Sequence, residues 1–375
     1  MTDLFGGFFK NRRIIITGHT GFKGAWLALW LSELGAKVVG YALQPPTTPS
    51  LFRAIGLDRK LISIIGDIRD RKALHAVLKR HQPEVVFHLA AQSLVRRSYA
   101  SPVETYEANL MGTVNILEAC RGIAPLRTIV VVTSDKCYEN KGLIQGHREE
   151  DPLGGHDPYS SSKACAELIV DAYRRSFFAG KKRQRHCIGL ATARAGNVIG
   201  GGDWAEDRLV PDCMRAFSKN KAVIIRYPDA VRPWQYVLEP LYGYLSLARH
   251  LFFRGVEFSG AWNFGPNKSN AKPVQYLLEK IAGLWGSSAI WKIEKCGRLH
   301  EAHHLWLNCS KAKTKLGWRP LWRLPTALKN TVYWYQSFYA KKDVERLCLT
   351  QIENFSREIK KGNFCQRFPD QRRRF

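Results

Sequence analysis

The chain has no uninterrupted apolar run of about 18 residues, the length a membrane-spanning helix requires, so no span is expected. A cleaved leader is not expected either. The only early apolar run, Ile14 to Ile16, reads as a strand and leads straight into a glycine motif. No CxxC pair occurs among the nine cysteines, whose number is odd, which argues against a disulfide framework. Cys120, Cys165 and Cys187 sit in apolar sequence and read as buried, reduced thiols of a cytoplasmic protein. No internal repeat is visible.

Acidic residues are scarce, with 32 Asp and Glu against 58 Lys and Arg and a net charge of +26. A field of that sign attracts anionic ligands, a sugar joined to a pyrophosphate among them. One diphosphate occupies only about two or three cations, so a basic, solvated surface accounts for the remainder. The positive runs Lys181-Lys182-Arg183 and Arg372-Arg373-Arg374 are short and peripheral, which weighs against nucleic acid as a partner.

What is present is a regular alternation of elements. Arg13 to Thr17 forms an apolar strand stopped by Gly18, and from Lys23 the residues Trp26, Leu27, Trp30, Leu31 and Leu34 share a helical face that ends at Gly35. Strands follow at Lys37 to Ala42 and Leu61 to Ile65. A helix over 69–81 precedes the strand Val85 to Leu89. Then come a helix over 107–121, the strand Thr128 to Thr133, a long helix over 158–175 and the strand Cys187 to Ala193. Strands alternating with helices of this length predict an α/β fold, a doubly wound parallel sheet covered on both faces. The first domain is expected over 1–195, with a return near 238–265 through Trp262 to Gly265. A smaller C-terminal substrate-binding lobe is expected over 196–237 and 266–340. Residues 341–375 read as a polar, basic tail, loosely attached and without an assigned role.

Thr17-Gly18-His19-Thr20-Gly21-Phe22-Lys23-Gly24 joins the first strand to the first helix. Glycines there permit a tight turn and the close approach of a pyrophosphate, which then rests on the helix N-terminus. Asp67, after the third strand, is placed either to accept from an adenine amine or to cap the next helix. The acid that often binds the ribose at the end of strand two is absent, Tyr41-Ala42-Leu43-Gln44 standing there instead. His19 and Lys23 are compatible with a phosphate, so the fingerprint leaves NAD and NADP open.

Asp157-Pro158-Tyr159-Ser160-Ser161-Ser162-Lys163 carries the strongest chemical signal. Asp157 can cap the helix and Pro158 suits its first turn, so Tyr159 and Lys163 project from one face. A phenol has an unperturbed pKa of about 10 and is a poor base at neutral pH. A neighbouring ammonium would lower that value and let the phenolate take a hydroxyl proton. Upstream, Thr133-Ser134-Asp135-Lys136 ends a buried strand, and strand ends of doubly wound sheets face the ligand crevice.

On these motifs the chain resembles the extended short-chain dehydrogenase/reductase family, whose fold is of the Rossmann type. It is nearest to the branch of lyases that dehydrate CDP-glucose. The resemblance covers roughly residues 12 to 335 and includes TGHTGFKGAWLALWL, PPTTPSLF, HLAAQSLVRRSY, TSDKCYEN, DPLGGHDPYSSSKACAEL, ARAGNVIGGGDWAEDRLVPD and RPWQYVLEPL. It implies NAD as cofactor, a nucleotide-diphosphate sugar as substrate and a homodimer. In the implied mechanism Tyr159, assisted by Ser134 and Lys163, takes the proton of the 4-hydroxyl while carbon 4 is oxidised. Asp135 serves as the acid for the departing 6-hydroxyl. Lys136 stands where relatives place a glutamate base for carbon 5. The resemblance further places Gly18, Gly21, Phe22, Gly24, Asp67, Ile68, Leu89, Ala90 and Ala91, with Tyr159 and Lys163, around the cofactor. Arg97, Ser98, Asn197, Arg208, Arg232 and Asn263 would hold the sugar nucleotide, the arginines through paired, charge-assisted hydrogen bonds; a surface ion pair is the alternative for each, and for Arg208 it weighs nearly evenly. Two positions depart from the pattern: Tyr236 stands where relatives have His, and His147 where they have Tyr.

His300-Glu301-Ala302-His303-His304 matches HExxH, yet Leu305-Trp306-Leu307 follows in strand-like alternation, so no metal is expected. The rivals are a nucleotide-sugar epimerase or reductase, which needs Tyr159 and Lys163 but no Asp-Lys pair, and a non-catalytic dinucleotide sensor bound to nucleic acid.

Overall fold

The computed structural model describes residues 2–142, 145–179, 187–225, 227–294 and 305–362. Seven apolar segments pair in parallel: β1 (Arg13–Thr17), β2 (Lys37–Ala42), β3 (Ile62–Ile65), β4 (Val85–His88), β5 (Thr128–Val132), β6 (Gly189–Arg194) and β7 (Gly260–Asn263). Their order is β7-β6-β5-β4-β1-β2-β3, so the winding direction reverses between β1 and β4. In open parallel sheets a crevice forms outside the strand ends at such a reversal. The C-terminal side of β1 and β4 is therefore where a ligand site is dictated.

Neighbouring residues of a strand leave on opposite faces, and both faces are buried along the central strands, while the edge strand β3 leaves Ile62 and Ile65 exposed. Ile14 and Ile16 pack with the helices α1 (Phe22–Glu33) and α6 (Leu238–Arg254). Ile15, between them, packs on the other face with α2 (Arg71–His81), α3 (Gly112–Cys120) and α4 (Pro158–Tyr173). The helix starts follow local chemistry. Asp70 caps α2 by accepting from Ala73 N at 3.0 Å, and Asp157 caps α4 by accepting from Ser160 N at 2.9 Å. The segment expected as one helix from Glu107 starts earlier, at Pro102, and passes through a π turn at Glu107–Met111 before α3. Proline at a first helical position explains the earlier start.

Beyond β6 come α5 (Leu209–Phe217) and three short strand pairs, of which Val198–Ile199 runs parallel to Gln235–Tyr236. Ala222–Ile225 runs parallel to Ile290–Ile293, and Val231–Pro233 antiparallel to Ala271–Pro273. Two helices close the chain, α7 (Leu324–Tyr339) and α8 (Val344–Lys361).

The second of these corrects the expectation of a loosely attached tail over residues 344–361. Val344, Cys348, Ile352, Phe355 and Ile359 recur at helical spacing and are buried in the main core. The many charges of this segment lie on its outer face and mask that stripe in composition. Phe355 stands 5.9 Å from Trp30, 5.3 Å from Trp322 and 6.3 Å from Tyr242, ring centre to ring centre. This is also why α1 is buried on all sides: the sheet covers one flank and α8 the other. The second half of the predicted tail, from residue 363, lies outside the described residues, as do the HExxH segment and both basic runs.

Phe355→Ala is expected to cost about 3–5 kcal/mol, the range for a buried aromatic, in chemical denaturation. A loosely attached tail would lose within about 0.5 kcal/mol, as surface sites do.

Candidate active site

A cavity of about 1190 Å³ opens along the C-terminal ends of the strands. Pockets for one small ligand run to about 300–1,000 Å³, so this one has room for a dinucleotide and a second molecule beside it. Its floor is the glycine turn. Gly18 has φ +80°, and a Cβ there would lie 2.7 Å from Ala90 N. Thr17 Oγ1 accepts from Leu89 N and Ala90 N at 3.2 Å each, tying the end of β1 to the end of β4. Beneath it, Thr17 Oγ1 and His88 Nδ1 are 2.7 Å apart. At Gly24, a Cβ would meet Gly18 O at 2.0 Å, so the first turn of α1 sits directly on the loop. The free N–H groups of that turn face the cavity, a cradle shaped for a pyrophosphate. Gly18, Gly21, Phe22, Gly24, Asp67, Ile68, Leu89, Ala90 and Ala91 all line the cavity.

Asp67 is not a helix cap, since Asp70 has that role. Its carboxylate is held by Arg69, Nη2 to Oδ2 at 2.7 Å, and the guanidinium keeps the carboxyl below its ordinary range. His19 is turned out of the cavity. It is fully buried, its Nε2 lies 2.8 Å from Ser63 Oγ, and burial lowers its pKa to about 4, so it stays neutral and offers no charge to a phosphate. Lys23 does line the cavity, and burial, with Lys163 and Arg208 nearby, lowers it to about 8.

The second wall carries Ser134, Asp135, Lys136, Tyr159 and Lys163. Ser134 leaves β5 and caps a 3-10 turn at Asp135–Cys137; its Oγ donates to Asp135 Oδ1 at 3.0 Å and accepts from Lys136 N at 3.2 Å. Tyr159 and Lys163 stand one turn apart on α4, and Lys163 Nζ donates to Val132 O at 3.3 Å, which draws the ammonium to the strand end. Burial pushes the Tyr159 phenol up to about 12, opposed by a hydrogen bond with Ser134 and by the Arg208 charge. Burial also lowers Lys163 to about 8, opposed by Glu167. The five residues Ser134, Asp135, Lys136, Tyr159 and Lys163 all line one cavity. Gly196 leaves room for the group beside it, because a Cβ there would fall 1.8 Å from Asp135 Oδ2.

The residues expected to hold a sugar nucleotide divide. Arg97, Asn197, Arg208 and Arg232 line the cavity. Arg208 is also an ion pair, donating to Asp203 Oδ2 at 2.8 Å, and its other nitrogen donates to Ser93 Oγ at 3.2 Å. Ser98 and Asn263 are not brought there. Ser98 is fully buried and its hydroxyl donates to Val95 O at 2.6 Å. Asn263, at the end of β7, accepts from Tyr138 OH at 2.8 Å and donates to His147 O at 2.9 Å and Asn308 O at 3.2 Å, which uses its amide completely. Both point into the fold because backbone carbonyls there need donors.

The two departures noted in the sequence are buried behind the site. Tyr236 bonds Gln351 of α8 and packs against Trp26 and Trp322, and His147 stacks on Tyr138 with ring centres 4.7 Å apart. Sequence reasoning missed Asp203 and Tyr138 as lining residues; Asp203 stands in the same GGGDWAEDR stretch as Arg208, where an acid five residues from an arginine was the available signal.

Residues 15–241 match the family model described as GDP-mannose 4,6 dehydratase. A CDP-glucose 4,6-dehydratase of Salmonella typhimurium is 50% identical over 337 residues, covering 90% of this chain and 94% of that protein. A probable dTDP-glucose 4,6-dehydratase of Sinorhizobium fredii is 25% identical over 341 residues, 86% of this chain and 92% of that protein. Among solved structures, a UDP-glucose 4-epimerase of Stenotrophomonas maltophila superposes with a TM-score of 0.76 at 20% identity, over 88% of this chain and 100% of that one. The likeness to that structure is one of fold.

Gly196→Ala must displace Asp135 or the loop beneath it, and is expected to cost about 1–3 kcal/mol, the range for overpacking. Gly122→Ala, where an added Cβ meets nothing within 4 Å, is the matched control and should leave the melting temperature within a degree or two, as a surface change does.

Proposed function

The chain belongs to the GDP-mannose 4,6 dehydratase family, and on that premise we propose that it dehydrates CDP-glucose to its 4-keto-6-deoxy form. The observation that carries the reading is the convergence of Tyr159, Lys163 and Ser134 with Asp135 and Lys136 on one cavity floored by a glycine cradle. An epimerase or a reductase has no use for the Asp-Lys pair.

The cradle at Gly18, Gly21 and the start of α1 fits NAD, which supplies when bound a two-electron acceptor for carbon 4 and a donor for carbon 6. Tyr159 takes the proton of the 4-hydroxyl. Its phenol is not ionised on its own at neutral pH, and the positive charges of Arg208 and Lys163 are what favour the phenolate. Ser134, hydrogen-bonded to both Tyr159 and Asp135, orients the hydroxyl between them. Once carbon 4 is a ketone, the proton on carbon 5 is acidified; Lys136 removes it and Asp135 delivers a proton to the hydroxyl leaving carbon 6. Arg208, Arg97 and Arg232 hold the diphosphate, and Asn197 the sugar. Lys23 adds a further cation between the two ligands.

A homodimer forms through α4 and the helix Pro102–Tyr106. Val103, on the helix Pro102–Tyr106, is 69% exposed and Leu168, on α4, is 60% exposed. Apolar side chains left in solvent on neighbouring helices support association through them. We place the protein in the cytoplasm: the described cysteines are free, which suits a reducing compartment, although of the three expected to be buried only Cys120 is, Cys165 being half-buried and Cys187 exposed. No helix among the described residues is long and apolar enough to cross a membrane.

Offered CDP-, dTDP-, UDP- and GDP-hexoses in parallel, the protein is expected to convert the CDP-glucose fastest, to a 4-keto-6-deoxy sugar with no net change in cofactor redox state. An epimer or a reduced sugar as product would sink the reading. Tyr159→Phe should lower kcat about 10²–10⁴-fold, the contribution of general acid–base catalysis. In deuterated water, Lys136→Ala should stop exchange at carbon 5; exchange at the wild-type rate removes Lys136 as the base. Leu168→Arg is expected to shift the sedimentation coefficient from that of a dimer to that of a monomer, and a wild-type monomer would overturn the assembly.

A further inference from the structure

Glu167 lies one helical turn beyond Lys163 on α4 and is almost wholly withdrawn from solvent. A buried carboxylate must be paired, and this one accepts from three donors on two strands. Thr133 Oγ1, at the end of β5, donates to Oε1 at 2.5 Å. From β6, Thr192 Oγ1 donates to Oε2 at 2.7 Å and Arg194 Nη2 to the same oxygen at 2.8 Å. Arg194 continues the chain of bonds: its Nη1 donates to Tyr138 OH at 2.6 Å and to Glu149 O at 3.1 Å, with the guanidinium 4.7 Å from the Tyr138 ring centre. Tyr138 in turn donates to Asn263 Oδ1.

The two ends of this pair grip the two ends of one segment. Thr133 immediately precedes Ser134-Asp135-Lys136, and Tyr138 follows one residue after Cys137. The carboxylate itself rides on the helix that carries Tyr159 and Lys163.

We propose that Glu167 and Arg194 are positioning residues, whose ion pair sets the register between the helix bearing Tyr159 and Lys163 and the segment bearing Ser134, Asp135 and Lys136. The two reacting sets act at adjacent carbons of one sugar, so their mutual placement decides whether oxidation at carbon 4 is followed by elimination across carbons 5 and 6. A misplacement of about 1 Å can cost about 10²-fold in rate. Stability is a poor reason for the pair, because a buried ion pair gains little net free energy over a well-packed apolar replacement. The assignment rests on the dehydratase reading above.

Thr133→Val and Thr192→Val each remove one hydroxyl donor from the same carboxylate, but only the first frees the strand end beside Ser134. Expected for Thr133→Val is a fall in kcat of about 10- to 100-fold, with KM within about twofold, following the cost of misalignment. Thr133→Ser should restore kcat, and Thr192→Val should lose melting temperature to a similar degree while keeping kcat within about threefold of wild type. Equal effects of the two valine variants on kcat, or an unchanged kcat in Thr133→Val, overturn the proposal and leave the network a structural tie. If Thr133→Val does not fold, Glu167→Gln carries the same comparison: a fall in kcat at constant KM supports positioning, and an unchanged kcat overturns it. Failure of the dehydratase reading is distinct, since the wild-type protein would then yield no 4-keto sugar.

Discussion

At Gly18 two backbones approach too closely for any side chain to enter, and the site is organised around that contact. The turn after β1 passes so near the chain leaving β4 that an added methyl would overlap Ala90. Thr17 then reaches both amides after β4, and the first turn of α1 is drawn down onto the loop, with Gly24 against Gly18. The result is a set of unpaired helix N–H groups at the point where the strand order reverses. A parallel sheet with reversed winding opens a crevice there in any sequence. What this sequence adds is a floor low enough for a pyrophosphate to lie against backbone.

Charge around the crevice follows from burial as much as from composition. Lys23 and Lys163 are both pulled down to about 8, because each ammonium loses water without gaining a carboxylate at contact distance. Tyr159 is pushed the other way for the same reason. In the free protein the phenol and the two amines are therefore held away from their ordinary values, and an anionic ligand is what offsets the cost of keeping the amines charged. Arg208 is satisfied in advance by Asp203 and can lend its field to Tyr159 without being left unpaired. The large positive charge of the chain has only a small share in this; most of it lies on the solvated surface.

Burial also explains the errors of a linear reading. Ser98 sits between Arg97 and Tyr99, which line the cavity, and Asn263 at a strand end away from it, and both side chains serve backbone groups instead. His19, within the glycine motif itself, is turned into the sheet because Gly40 leaves space for its ring. The stripe Val344, Cys348, Ile352, Phe355 and Ile359 has helical spacing, yet its segment is so rich in charge that composition argues for a solvated tail.

Local chemistry was enough for the rest. Alternation of apolar strands with capped helices determined the doubly wound sheet, since each element can bury its apolar face only in that arrangement. The spacing of glycines after β1, and of Tyr159 from Lys163, determined a tight turn into α1 and a Tyr-Lys pair on one helix, because both are contacts within a few residues of chain. Only the tertiary structure decided which polar side chains turn toward the cavity and which satisfy the backbone. It also decided that Glu167 and Arg194, 27 residues apart in sequence, would meet, with Thr133 and Tyr138 bonded to the two ends of the pair. Contacts of that range depend on how strands are ordered in the sheet, and the order of strands is a property of the packed core that no short stretch of sequence contains.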